Sequence, residues 1–188
     1  MRIIAGKYKS KKLFAPEGKT TRPTSDRTRE AVFNVLESYF RKKGISWADV
    51  NVLDAFSGTG ALGLEALSRG AVSLTAAEKD SRATVCFWKN ADVFVKGGSR
   101  IDLFADALLP PQAKKPVVLL FMDPPYAKGL IKPALEALEQ KGWIDKNTLC
   151  VLETERHEKD ILPDSFDITD MRFYGKSAVL FVQKKAVN

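Results

Sequence analysis

The 188-residue sequence has little of the two residue types that most often build zinc centres and disulfides. It contains one histidine, His157, in the charged segment E-R-H-E-K-D, and two cysteines, Cys86 and Cys150, within apolar patterns. With one histidine and no Cys-x-x-Cys spacing, we predict no metal site. We expect the histidine to be a solvated surface residue, and the cysteines to be small buried hydrophobic residues in a reducing compartment.

Long apolar runs are also missing. No stretch approaches the ~20 residues that a transmembrane helix needs, and the start, M-R-I-I-A-G, lacks the long apolar core of a signal peptide. We find no internal repeats, no low-complexity segment and no oligomerisation signal. The composition therefore predicts a cytoplasmic, monomeric globular protein without a membrane partner, built as one domain with a small appendage.

Acidic residues are scarce at the start of the chain. Residues 1–30 hold nine lysines and arginines against three acids, an excess of +6 out of the total of +7. Such a local basic patch is typical of a polyanion-binding surface, although a charge run can also be a solubilising tail. Apolar residues such as Ile3, Leu13 and Phe14 interleave with the charges and favour an ordered element. The candidate nucleic-acid contacts in this patch are Lys7, Lys9, Lys11 and Lys12.

We expect residues 1–44 to form an extension packed on a larger domain, residues 45–188. The runs R-I-I-A-G and K-K-L-F-A-P, within residues 2–15, predict a hairpin with a lysine-rich turn. Apolar residues at i, i+3 and i+4 then predict an amphipathic helix over residues 26–42. The candidate caps of this helix are Thr24, Ser25 and Asp26.

Beyond residue 50, predicted strands alternate with helices. This pattern indicates an α/β fold with a mostly parallel sheet and helices on both faces. The last two apolar runs flank Gly175 with no helix between them, so we expect them to pair as an antiparallel hairpin. The predicted strands span residues 51–56, 73–78, 101–104, 117–122, 148–153, 166–174 and 178–182, and the predicted helices span 61–69, 80–95 and 130–141.

A glycine-rich loop joins the first of these strands to a helix. Gly58, Gly60 and Gly63 match G-x-G-x-x-G, and Glu78 ends the next strand about 20 residues later. Small residues let the backbone approach a ligand, a helix N-terminus supplies N–H donors, and an acid can accept hydrogen bonds from a ribose diol. Both a dinucleotide and S-adenosylmethionine fit this pattern.

Two further acids favour S-adenosylmethionine. Asp54 precedes the glycines, where its carboxylate can face the cationic amino end of this cofactor and would repel a pyrophosphate. Asp106 follows the third strand, where it can accept a hydrogen bond from an adenine amino group. Each acid also has an ordinary explanation, since Asp106 could cap a helix and Glu78 could pair with Lys79 at the rim.

The apolar run V-V-L-L-F-M stops at Asp123-Pro124-Pro125-Tyr126. Two prolines cannot continue a strand ladder, so this strand should end at the carboxyl edge of the sheet, where α/β proteins bind ligands. Hydrogen bonds from an exocyclic amine to the Asp123 carboxylate and the Pro124 carbonyl would align the nitrogen with a methyl donor. Tyr126 would stack on the base. The alternative is a plain turn with Tyr126 packed on the core.

These motifs resemble a known family. Asp123-Pro124-Pro125-Tyr126 and residues 52–71 resemble the class I amino-methyltransferases that act on nucleic acid. Residues 22–36, R-P-T-S-D-R-T-R-E-A-V-F-N-V-L, and the start M-R-I-I-A-G-K-Y-K-S-K-K-L resemble the RsmD family specifically. The resemblance covers nearly the whole chain. It implies a Rossmann-like class I methyltransferase that uses S-adenosylmethionine to methylate a guanine N2 in bacterial small-subunit (16S) ribosomal RNA, within a ribosomal particle.

The resemblance also implies roles for individual residues. Arg22 and Thr24 would lie at the rim of the substrate pocket. Asp123, Pro124, Pro125 and Tyr126 would hold the amine, with Asp123 also bordering the cofactor. The implied cofactor-binding residues are Asp54, Phe56, Ser57, Gly58, Thr59, Gly60, Glu78, Lys79, Asp106 and Ala107.

Other functions stay open from the residues alone. The methyl acceptor could be another base amine, such as adenine N6, or a glutamine side chain. The glycine loop could instead serve a nicotinamide-dependent oxidoreductase, and the basic patch could serve a non-catalytic RNA-binding protein. The basic patch argues against a protein substrate, and the intact Asp-Pro-Pro-Tyr motif argues against a protein without catalytic activity.

Overall fold

The computed structural model describes residues 1–16, 26–125, 128–158 and 160–186. Within these ranges, seven strands form one sheet, accompanied by four α-helices and a short 3₁₀ helix, Trp47–Asp49. The strands are β1 (Asn51–Asp54), β2 (Ser73–Ala77), β3 (Arg100–Phe104), β4 (Leu119–Met122), β5 (Leu149–Glu155), β6 (Phe166–Tyr174) and β7 (Ser177–Lys184), and the helices are α1 (Asp26–Lys43), α2 (Ala61–Ser68), α3 (Ser81–Lys96) and α4 (Ile131–Gln140).

The strand order is β3-β2-β1-β4-β5-β7-β6. Strands β1 to β5 pair in parallel, whereas β7 is antiparallel to both β5 and β6. The pairs β1–β2, β2–β3 and β4–β5 are joined by the helical crossovers α2, α3 and α4, and the antiparallel pair β6–β7 follows from the tight connection at Gly175. The predicted mostly parallel sheet with a C-terminal antiparallel hairpin is therefore confirmed.

Buried apolar side chains cover both faces of the sheet. Along β4, Leu119 and Phe121 point to one core cluster, and Leu120 and Met122 point to the other. This alternation is the two-residue period of a strand that is buried on both sides. The first cluster includes residues of α1, α2 and α3, and the second includes residues of α4. Helices thus lie on both faces, as predicted.

The N-terminal segment differs from the predicted hairpin of residues 2–15. The chain does double back, because the Ile3 N–H donates to the Lys11 carbonyl and the Ser10 N–H donates to the Ile3 carbonyl, both at 2.9 Å. Within residues 1–16, however, the only antiparallel pairing is an isolated bridge between Arg2 and Lys12, without regular strands. We call residues 1–16 the N-terminal arm.

The arm does not form a ladder because α2 takes up its backbone groups. The fully buried Glu65 carboxylate accepts hydrogen bonds from the N–H groups of Ile4, at 2.6 Å, and Ala5, at 3.0 Å. The Ser68 hydroxyl donates to the Ala5 carbonyl at 2.6 Å and accepts from the Tyr8 N–H at 2.9 Å. Side chains of α2 therefore replace the partner strand that the sequence pattern predicted.

Close packing completes this attachment. Gly6 has φ +80°, and a Cβ atom built on it would lie 1.8 Å from the Ser68 carbonyl oxygen. The ring of Tyr8 packs on Phe94 of α3 with centroids 4.2 Å apart. The arm thus crosses both helices that follow the first two strands.

The single histidine and one of the two cysteines lie where the sequence predicts. His157 is exposed and Cys150 is buried in β5, but Cys86 is only half-buried, at the margin of the buried face of α3. The prediction of a buried side chain was therefore wrong for Cys86. None of the described helices is both long and apolar enough to cross a bilayer.

Candidate active site

The predicted site residues leave neighbouring strands at one edge of the sheet. Strands β3, β2, β1 and β4 are adjacent and parallel, so their carboxyl ends lie at the same edge. Backbone hydrogen bonds continue past the strand ends and fix the loops that follow. They join the N–H and carbonyl groups of Ala55 and Phe121 at 2.9 Å, Ser57 and Ala77 at 3.0 Å, and Glu78 and Phe104 at 3.1 Å.

Glu78 holds the glycine loop against the N-terminus of α3. Its carboxylate accepts a hydrogen bond from the Gly58 N–H and another from the Asp80 N–H, both at 2.7 Å. Gly58 has φ +53° and Gly60 has φ +86°, a region that glycine enters without steric cost. A Cβ atom on Gly60 would lie 2.8 Å from the Phe87 ring. These contacts set the shape of the predicted cofactor loop.

Asp54 is buried beneath this loop, with 1% of its surface exposed. Its carboxylate accepts a hydrogen bond from the Gly63 N–H at 2.9 Å, in the first turn of α2. Asp54 therefore caps α2 from the end of β1, where the cap residue Gly60 has no side chain to do so. Burial raises the pKa of Asp54 to about 7, while the Gly63 hydrogen bond opposes the shift and the negative charge of Glu78 adds to it.

Asp106 and Lys79 pair with each other. The Lys79 Nζ lies 2.8 Å from one Asp106 carboxylate oxygen, and the Leu108 N–H donates to the other oxygen at 2.9 Å. The Lys79 ammonium, followed by the Leu108 N–H, lowers the pKa of Asp106. The alternative pairing of Lys79 with Glu78 was therefore wrong. Ala107, the next predicted residue, packs in the second core cluster.

The other loop residues surround the glycines. Phe56 is half-buried and packs against the second core cluster. The Ser57 hydroxyl is buried and has no hydrogen-bond partner in the described part of the chain. Buried hydroxyls are normally paired, so a polar ligand at the loop would satisfy this group. The Thr59 carbonyl accepts a hydrogen bond from the side chain of Asn90 at 2.9 Å.

The strand that carries the Asp-Pro-Pro motif ends where the sequence predicts. β4 stops at Met122, which pairs with Leu152 of β5, and Asp123 is the next residue. Pro124 is buried and Pro125 is exposed. Tyr126 lies outside the described residues, as do Arg22 and Thr24. A small cavity beside the motif is lined by Pro124, Pro125, Gly129, Leu130, Ile131, Glu153, Thr154 and Glu158.

A larger cavity, of about 360 Å³, lies beside β6 and the segment 154–164. It shares Thr154 and Glu158 with the small cavity, but its described lining includes none of the predicted site residues. The glycine loop and the Asp-Pro-Pro motif therefore locate the candidate site better than cavity size does.

Three buried polar side chains are important here and were missed in the sequence: Arg29, Glu65 and Asn90. Arg29 donates hydrogen bonds to the Arg2 carbonyl and, at 2.9 Å, to Asp26, while its Nε and Nη1 atoms have no partner among the described residues. Burial lowers the pKa of this guanidinium. Glu65 and Asn90 lie beside apolar residues of their helices, and a polar residue at such a position is a sequence signal that could have been used, whereas Arg29 stands in the charged run D-R-T-R-E and carries no such signal.

The four candidate lysines of the basic patch are all exposed on the N-terminal arm: Lys7, Lys9, Lys11 and Lys12. The Lys7 N–H donates to the carbonyl of Ser68, the last residue of α2, and the neighbouring Tyr8 packs on Phe94 in the last turn of α3. The lysine-rich turn therefore lies at the C-terminal ends of α2 and α3, where the chain enters β2 and β3, and the arm approaches the glycine loop only later, at Phe14, which Asn90 joins to Thr59.

Comparison with known proteins agrees with this geometry. The family described as Conserved hypothetical protein 95 matches residues 1–183. Ribosomal RNA small subunit methyltransferase D of Escherichia coli K12 is 32% identical over 187 residues, which cover 99% of this chain and 91% of that protein. This chain belongs to the RsmD family.

Two further comparisons support RsmD membership. The Haemophilus influenzae protein of the same name is 31% identical over 179 residues, which cover 93% of this chain and 89% of the relative. A solved structure of Escherichia coli yhhF superposes with a TM-score of 0.81 at 32% identity, covering 100% of this chain and 99% of that one. The predicted Rossmann-like methyltransferase fold is thus confirmed, and the methyltransferases named in the family favour this activity over a nicotinamide-dependent oxidoreductase.

Proposed function

We propose that this RsmD-family chain transfers a methyl group from S-adenosylmethionine to the exocyclic N2 amine of a guanine in bacterial small-subunit ribosomal RNA. The observation that carries the proposal is the convergence of two features at one sheet edge. The glycine loop held by Glu78 follows β1, and the Asp123-Pro124-Pro125 motif follows the adjacent strand β4. The names of the relatives support ribosomal RNA as the substrate.

The residues at the glycine loop fit S-adenosylmethionine, which supplies an electrophilic methyl group on a sulfonium centre. The unpartnered Ser57 hydroxyl offers a hydrogen bond to a polar group of the ligand. Glu78 can accept hydrogen bonds from a ribose diol with lone pairs that the loop N–H groups do not use. Asp106 can take an adenine amino group as a further partner. A cationic amino group beside Asp54 would favour its ionised form.

The Asp-Pro-Pro motif would orient the methyl acceptor. The lone pair of a guanine N2 amine is delocalised into the ring, so this nitrogen is a weak nucleophile. Hydrogen bonds from its two N–H groups to the Asp123 carboxylate and the Pro124 carbonyl would align it and stabilise the positive charge that develops on transfer. Because proline fixes its own φ, little of this geometry has to be ordered during the reaction.

The N-terminal arm would bind the RNA backbone. Its exposed lysines can neutralise phosphates, and residues 1–44 would thus serve as the RNA-facing extension of a methyltransferase domain at residues 45–188. On the family resemblance alone we include Arg22 and Thr24 at the pocket rim and Tyr126 as the stacking residue. We propose that the protein acts as a monomer in the cytoplasm, on an assembled or partly assembled small-subunit particle.

Nucleoside mass spectrometry tests the proposal. Small-subunit ribosomal RNA from cells lacking the protein should lose N2-methylguanosine at one site, and the wild-type chain should restore it. Loss of N6-methyladenosine, or of a methylated glutamine in a ribosomal protein, would replace guanine N2 as the acceptor. An unchanged set of methylated nucleosides and proteins would contradict the proposed function.

A further inference from the structure

One buried amide joins the N-terminal arm to the glycine loop. The side chain of Asn90 is fully buried in α3. Its Nδ2 donates to the Thr59 carbonyl at 2.9 Å and to the Phe14 carbonyl at 3.0 Å, and its Oδ1 accepts from the Phe14 N–H at 2.7 Å. A single side chain thus contacts the backbone of both segments.

The two segments joined by Asn90 have different proposed ligands. Phe14 follows the lysines of the arm, and Thr59 lies between the two glycines with positive φ in the cofactor loop. The Asn90 amide therefore holds Phe14, which lies 76 positions earlier in the sequence, and Thr59, which lies 31 positions earlier. Because the amide is buried, breaking one of its bonds would leave a polar group without water or partner.

We propose that Asn90 is a positioning residue that couples RNA binding at the arm to cofactor binding at the glycine loop. This inference rests on the proposed function. A particle that binds the lysines restrains the arm, the Phe14 backbone then restrains the Asn90 amide, and the amide holds the Thr59 carbonyl in place. The ordering of the loop is then partly complete before the cofactor binds, so each ligand strengthens binding of the other.

The experiment measures the dissociation constant of radiolabelled S-adenosylhomocysteine by equilibrium dialysis. It is measured for the full chain alone and with saturating small-subunit particles purified from cells that lack the protein. The particles should tighten binding to the wild-type chain by about fivefold or more, the lower end of common coupling factors. By thermodynamic linkage, S-adenosylhomocysteine should tighten particle binding by the same factor.

Asn90→Asp breaks the link with little change of shape. The Oδ1 acceptor for Phe14 remains, but an oxygen replaces the Nδ2 donor and faces two carbonyl oxygens. We expect the coupling factor to fall to about one in this variant. Asn34→Asp, which makes the same change at an exposed position of α1, should keep the wild-type factor.

A second variant acts at the surface. Phe14→Pro removes the N–H that donates to Asn90 and leaves the bond from Asn90 to Thr59 intact. It should also lower the coupling factor, and it replaces Asn90→Asp as the test if that variant folds poorly.

A purely structural role of Asn90 would lower the melting temperature of the variants without changing the coupling factor. A factor of one in a wild-type chain that methylates the particles, or a wild-type factor in both folded variants, would overturn the inference. Failure of the wild-type chain to methylate guanine would overturn the proposed function and this coupling with it.

Discussion

The buried carboxylate of Asp54 has a pKa of about 7, against an ordinary value of 3.8, because it is removed from water at the end of β1. Between about pH 4 and pH 7, the folded protein therefore still holds a proton that the unfolded chain has already released. In this window the unfolded chain binds fewer protons, so the free energy of unfolding decreases as the pH rises. The total effect is on the order of 4 kcal/mol.

Asp54→Asn should remove this pH dependence. Asparagine cannot ionise, so the stability of the variant relative to the wild-type chain should rise from pH 5 to pH 8. Urea unfolding of both proteins across this range measures the difference. Parallel curves for the two proteins would show that the Asp54 carboxylate ionises at its ordinary pKa.

Asp123 is expected to act on the acceptor amine and only weakly on the cofactor. Asp123→Ala should lower methyl transfer by about a hundredfold or more, the scale found when one charge-stabilising group is removed. The affinity for S-adenosylhomocysteine should stay within roughly tenfold of the wild-type value. Single-turnover assays with labelled cofactor measure the first quantity, and calorimetric titration measures the second.

Asp102→Ala is the matched control, because this exposed carboxylate lies within β3 and before its carboxyl end. It should leave both quantities unchanged. A large loss of cofactor affinity in Asp123→Ala, with near-normal turnover at saturating cofactor, would assign Asp123 to the cofactor instead of the amine.

Among the elements, the N-terminal arm depends on one glycine for its attachment to α2. Gly6→Ala introduces a side chain at φ +80°, which costs about 1–2 kcal/mol in strain, and places a Cβ atom 1.8 Å from the Ser68 carbonyl oxygen. The arm should therefore detach. Hydrogen exchange should show loss of protection at the arm amides that donate to α2, those of Ile4, Ala5, Lys7 and Tyr8.

Gly175→Ala is the control for Gly6→Ala, and it separates backbone strain from a steric clash. Gly175 also has positive φ, +62°, but a Cβ atom there meets nothing within 4 Å. This variant should lose stability from strain alone and keep the protection of the arm amides. Equal exchange in both variants would mean that contact with α2 does not hold the arm.

The elements beyond residue 50 were predictable because their signals are local. A strand such as β4 is an apolar run ended by two prolines, and each helix carries its own apolar period. The arm was not predictable in the same way. Its hairpin pattern is also local, but its N–H groups bond to Glu65 and Ser68, about 60 residues away in the sequence. A pattern within one segment cannot reveal such a competing partner.

The candidate site was predictable to a similar degree. Glycines and acids at strand ends predicted which loops converge, since parallel strands share a carboxyl edge. The partners of each acid were not predictable, because they depend on the angles at which the loops leave the strands. The sequence suggested Glu78 as the partner of Lys79, but the loop after β3 places an Asp106 carboxylate oxygen 2.8 Å from the Lys79 Nζ.

For the whole molecule, the distribution of charge predicts the salt dependence of RNA binding. Replacing the four arm lysines by glutamine should weaken binding and reduce the slope of log affinity against log salt, by up to about one unit for each lost phosphate contact. Filter binding of small-subunit ribosomal RNA at several salt concentrations measures the slope. The substitutions are Lys7→Gln, Lys9→Gln, Lys11→Gln and Lys12→Gln.

A matched set of exposed lysines elsewhere separates position from net charge: Lys42, Lys43, Lys114 and Lys115. Replacing these four by glutamine changes the total charge equally but should leave most of the slope intact. If both sets reduce the slope to the same extent, RNA responds to the overall charge of the protein and not to the arm.

The position of β7 bears on how the chain is synthesised. This strand is made after all the others, yet it lies between β5 and β6 in the sheet. While residues 177–184 are still being added, the outer edge of β5 has no neighbour and β6 has no strand to join. An open strand edge is a site of wrong pairing between nascent chains. The β6–β7 hairpin can therefore add to the sheet only after residues 177–184 have been made, and until then β5 is an exposed edge.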